Sequence, residues 1–170
     1  MLARNETILK WVLYAAATVL CLAVQEMFLQ RFTFWRVIPF VYPLLAAIPA
    51  AYEGPVPGTA FALAVGVACD LILPGPIPCF YTLVFPVVGL CAALLARNLL
   101  PAGFLCSLAV TAAAFLLTDF FAAVLLWLRG SGAWSAAAFL MLREFCVTAP
   151  LTVPATALYR AVHRRAHRDD

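Results

Sequence analysis

Apolar residues run along this chain in long blocks, separated by short breaks that are polar or rich in Pro and Gly. About 20 consecutive apolar residues in a helix, at about 1.5 Å each, cross a hydrocarbon core of roughly 30 Å. The blocks predict six spanning helices, at about residues 11–29, 37–52, 59–73, 80–96, 103–128 and 136–159, followed by a basic tail over 160–170. The first block is too long for the core of a signal peptide, and further spans follow it, so it reads as a retained anchor. The break at 30–36 sets Arg31 and Arg36 among Phe32, Phe34 and Trp35, a mixture suited to the membrane–water boundary. Pro39, Pro43 and Pro49 interrupt the second block. Such backbone survives in a bilayer only where neighbouring groups satisfy it, which places this segment inside the bundle or beside a cavity.

Composition agrees with the pattern. Of 170 residues, 66% are hydrophobic and 11% charged, and the mean hydropathy is +1.01. Soluble domains are about half apolar and a quarter charged. The expected fold class is therefore all-α: one integral membrane bundle with no separate soluble domain. With six spans both ends lie on one side, and that side collects Arg4, Lys10, Arg97, Arg160, Arg164, Arg165 and Arg168. The other side holds Arg31, Arg36 and Arg129. Lys and Arg favour the cytoplasmic side, so both termini are expected there. A five-span reading, with the Pro-rich block not crossing, would put Arg4 and Lys10 outside. The six cysteines are scattered without a C-x-x-C pair and read as buried free thiols.

The chemistry centres on residues 53–78. Stepping back by fours from Asp70 gives Gly66, Ala62 and Gly58, one helix face with almost no bulk. Such a row lets another membrane helix approach closely. Pro74-Gly75-Pro76 ends this helix. The topology gathers Glu26, Arg36, Asp70, Asp119, Arg143 and Glu144 in one layer near the far side. Intramembrane charges are costly and face each other or water. Asp119 and Arg143 are equally far in sequence from Ser131, so a hairpin turning there brings them to one depth, and an ion pair is expected. Both histidines, His163 and His167, lie in the tail, and no H-E-x-x-H, G-x-S-x-G or P-loop is present. No enzyme, metal, cofactor or nucleic-acid role is expected.

The residues from Pro39 to Gly89 resemble the rod shape-determining protein MreD family. That family shows a Gln near the end of the first helix, here Gln25, and a Pro opening the second, here Pro39. A helix with spaced glycines follows and ends in an acid and a Gly turn, here Gly58, Gly66, Asp70 and Gly75. The next helix carries Val87-Val88-Gly89. The resemblance implies a non-enzymatic scaffold in the bacterial inner membrane. Its partners would be an MreC-like protein and, through it, MreB filaments, a RodA-type glycosyltransferase and a penicillin-binding transpeptidase, with the bilayer around it. A compact six-helix chain is also similar to the substrate-binding (S) subunits of energy-coupling-factor vitamin transporters. On that alternative, Asp70, Asp119, Arg143, Phe32, Trp35 and Tyr81 would line a site for a small ligand.

Overall fold

The computed structural model describes residues 2–31, 37–73, 75–98, 103–130 and 134–166. Among these the chain is helical, with no strand. The seven helices are α1 (Leu2–Met27), α2 (Tyr42–Glu53), α3 (Pro55–Ile72), α4 (Phe80–Asn98), α5 (Phe104–Leu128), α6 (Trp134–Thr148) and α7 (Thr152–Ala166). Five stretches are long and apolar enough to cross a membrane: Ile8–Arg31, Pro55–Ile72, Phe80–Asn98, Phe104–Leu128 and Ala138–Arg165. The protein is therefore a multi-pass membrane protein.

Helix ends depart from the hydropathy blocks where helix propensity and hydropathy part company. Nothing between Leu2 and Lys10 breaks a helix, so α1 begins well before the first apolar residue of its block. Likewise α7 carries the first residues of the basic tail as far as Ala166. The last block is split by a 3₁₀ turn at Ala149–Leu151, where Pro150 removes a helical donor.

The Pro-rich second segment lies inside the bundle, as expected. Its helix, α2, has 12 residues, and every one from Tyr42 to Ala50 is buried. At about 1.5 Å per residue it is about 18 Å long, short of a membrane core. Pro43 opens it and Pro49 sits within it. It touches α1, α3, α4, α5 and α7. Leu44, Leu45 and Ile48 of α2 join Tyr14, Phe85, Val88, Val110, Phe115 and Tyr159 in a fully buried core. The outer faces are apolar as well: Val56, Leu71 and Leu105 are largely exposed, as suits lipid contact.

α2 turns into α3 through a single residue. Gly54 adopts φ +90, ψ 179, a conformation open essentially to glycine alone. Its N–H donates to Ala50 O and its carbonyl accepts from Gly58 N–H. Gly58 and Gly66 of the small-residue row lie hard against neighbouring backbone. A Cβ on Gly58 would lie 2.6 Å from Ala50 Cα, and one on Gly66 would lie 2.6 Å from the Tyr81 carbonyl oxygen. From the other side, a Cβ on Gly89 would lie 2.6 Å from the Ala62 methyl. Close approach of α2, α3 and α4 in series follows from these residues. Buried threonines close on their own helix, Thr18, Thr111 and Thr118 each donating to the carbonyl four residues back.

Candidate functional site

The bundle has two polar ends. One holds Lys10, Glu53 and His163 and lies by the chain termini. The other holds Glu26, Asp70, Asp119 and Glu144 and is called here the far end.

At the terminal end Glu53 is the hub. Its side chain is 4% exposed and forms a salt bridge with Lys10. Tyr14 Oη donates to Glu53 Oε1 at 2.8 Å, and His163 Nδ1 lies 3.1 Å from the same oxygen. Burial alone would raise the Glu53 carboxyl, but Lys10, Tyr14 and His163 together hold it below the usual carboxylate range. The cluster ties α1, α2 and α7 and is structural in form. The sequence reading did not single out Glu53. The signal was available, because the topology already put Lys10, Glu53 and His163 at one end.

Asp70 has a defined task. Its Oδ1 accepts from Tyr81 N–H at 3.0 Å, and its Oδ2 accepts from Thr82 N–H at 2.7 Å and Thr82 Oγ1 at 2.6 Å. Tyr81 and Thr82 belong to the first turn of α4, whose N–H groups have no helical acceptor. Asp70 therefore caps α4 from the end of α3. A carboxylate also suits the positive end of a helix dipole.

Glu26 is likewise engaged. It accepts from the Tyr42 hydroxyl and from Gln30 Nε2. Beside it, Gln25 is 2% exposed and donates to the Pro39 carbonyl at 2.7 Å. Phe40 N–H donates to Thr148 Oγ1 at 3.0 Å, which anchors the non-helical segment before α2 to α6. Arg36, Phe32 and Trp35 lie outside the described residues.

The expected ion pair between Asp119 and Arg143 does not form. The Arg143 guanidinium lies over the Phe139 ring, 4.5 Å from its centroid. Asp119 Oδ2 is buried without a hydrogen-bond partner. Equal distance from the hairpin sets depth but not direction. Neighbouring helical residues point about 100° apart, so only one of Arg143 and Glu144 can face α5. Glu144 does so.

Asp119 and Glu144 share a cavity of about 260 Å³, walled by Phe40, Phe80, Tyr81 and Met141 among others. A second cavity of about 480 Å³ lies against Gln25, Val37, Pro39 and Tyr42 and shares Phe40, Leu140 and Glu144 with the first. Of the charged layer read from sequence, Asp119 and Glu144 alone among the described residues line this cavity. Asp70 is spent on α4, Glu26 on Tyr42, and Arg143 points elsewhere. Among the described residues, no group of three or more His, Cys, Asp or Glu side chains is arranged to hold a metal. No family model, curated protein or solved structure matches this chain.

Proposed function

We propose that the chain is a six-crossing scaffold of the MreD type in the bacterial inner membrane, with both termini cytoplasmic. It binds an MreC-like protein and, through it, MreB filaments, a RodA-type glycosyltransferase and a penicillin-binding transpeptidase, and so organises peptidoglycan synthesis and cell shape. The observation that carries the reading is what the motif residues do. Gln25 holds the Pro39 carbonyl. Gly58, Gly66 and Gly89 set the contacts among α2, α3 and α4. Asp70 caps the helix that contains Gly89. Residues that looked like a loose pattern along the chain form one connected framework, which is how a family signature with a structural basis behaves. Scaffolding through packed faces also suits a bundle whose outer surface is broadly apolar.

A second reading has its own support. The far-end cavity with Asp119 and Glu144 fits a bundle of the S-subunit type that captures a small vitamin. One experiment separates the two. The chain is tagged and purified in mild detergent from its own host, alongside deletion of its gene. Recovery of an MreC-like protein, with rounding of rod-shaped cells on deletion, is the expected outcome. A bound vitamin together with recovery of an energising transporter module, with cell shape intact, would replace the scaffold by the transporter subunit.

A further inference from the structure

We infer that the far-end cavity is a binding site for a small organic cation, an ammonium or guanidinium group carried on a short apolar stem. The inference stands on the cavity alone and holds for a scaffold or a transporter subunit.

Three acceptor groups lie along two adjoining cavities that share Glu144. Asp119 and Glu144 both line the cavity of about 260 Å³, and Asp119 Oδ2 is buried with no hydrogen-bond partner. Gln25 is the independent pointer. It is 2% exposed, its Nε2 is held by Pro39, and its Oε1 has no partner. It lines the adjoining cavity, which Glu144 also lines. Buried polar atoms normally find a partner, and these two orphans belong to residues that line the paired cavities. Among the described residues, no Lys or Arg lines either cavity. Two carboxyl groups facing one apolar space disfavour each other's charge, and a cation between them relieves that cost.

The remaining walls define the rest of the ligand. Phe40, Tyr81 and Phe80 surround the acids with aromatic rings, and ring faces attract cations. A bare divalent ion would need about six oxygen ligands in place of this mainly apolar lining. An anion would meet two carboxyls. A nitrogen cation with several N–H donors satisfies the oxygens while its stem fills the aromatic pocket.

The test uses the full chain purified in detergent. Its melting temperature is followed against phenethylamine and agmatine, with 2-phenylethanol as the neutral control at matched ionic strength. A saturable rise of about 5 °C or more is expected with a cation at about a hundred times its half-saturating concentration. The alcohol should give no saturable rise. Glu144→Gln should raise the half-saturating concentration at least tenfold, and Asp119→Asn combined with Glu144→Gln should abolish the response. If the double variant does not fold, Glu144→Gln alone carries the comparison. No cation-specific rise in the unmodified chain, or an undiminished rise in Glu144→Gln, overturns the inference.

Discussion

A carboxylate that receives two backbone N–H groups and a hydroxyl has little left to offer a partner. Asp70 is in that position: all three of its hydrogen bonds go to the first turn of α4. Asp70→Ala should therefore cost about 0.5–2 kcal/mol, the usual worth of a helix cap. Asp70→Asn should cost less, since an amide still accepts at one oxygen. Thr82→Val should lower the melting temperature in the same direction, and combining it with Asp70→Ala should add less than the sum of the two losses. Full additivity would mean the cap is not what holds Asp70. At the terminal end, Glu53 makes stability depend on pH. Its folded carboxyl titrates below the unfolded one, so the unfolded state binds more protons in that window. The stabilisation is complete above the ordinary Glu range, about pH 4.3, and is lost as pH falls through the lower folded value. Glu53→Gln should flatten the acid limb of a melting-temperature profile and cost about 1–3 kcal/mol at neutral pH. An unchanged acid limb would remove Glu53 as its source. For Glu53 the topology already offered Lys10 and His163 as partners, whereas the small-residue row marked Asp70 but not what it binds. What Asp70 touches depends on how the turn at 73–79 folds back, and a run of Pro and Gly says only that a turn exists.

The close-packed face of α3 was legible because close packing leaves a mark that does not depend on partners, although which helices meet it was not. Small residues four apart specify a face along which backbone must meet backbone. Gly66 is a strict position, since its neighbour is the Tyr81 carbonyl, which cannot rotate away. Gly66→Ala should force α3 and α4 apart and cost about 1–3 kcal/mol, and Gly66→Leu should lower the folded protein recovered from membranes. Ala64, two residues away on an exposed face of the same helix, is the control: Ala64→Leu should stay within about 0.5 kcal/mol. Equal losses at the two sites would mean that bulk, and not position, is at fault. The pairing of α5 with α6 was less legible for a reason of the same kind. Sequence distance from the hairpin gave the depth of Asp119, Arg143 and Glu144, whereas their direction depends on how the helices rotate to bury Phe115 against Phe145, whose ring centroids lie 6.0 Å apart.

At the scale of the whole bundle, the number of crossings turns on α2. Five helical stretches meet the length and hydropathy of a span, and α2 does not. Yet Tyr42 at its start binds Glu26, and Glu53 at its end binds Lys10. Glu26 and Lys10 lie on one helix, about 24 Å apart at the usual rise. The segment from Tyr42 to Glu53 therefore bridges the depth between Glu26 and Lys10, about 16 Å of it by the rise of α2 and the rest by the reach of the Tyr42, Glu53 and Lys10 side chains. The proposed six crossings require that reach, with the helical shortfall hidden among neighbours that satisfy the backbone, as Gln25 does for Pro39. On that proposal Lys10, Arg97, Arg160, Arg164 and Arg165 lie at one end and Arg31 and Arg129 at the other, the asymmetry expected if both termini face the cytoplasm. Single cysteines at Asn5, Ser131 and Asp169 in a cysteine-free background test this in intact spheroplasts. A membrane-impermeant maleimide should label position 131 directly and reach 5 and 169 only after permeabilisation. Labelling at 5 with protection at 169 would mean an odd number of crossings. The bond from Tyr42 to Glu26 and that from Glu53 to Lys10 would then lie on one side of the bilayer, which a single straight α1 cannot accommodate.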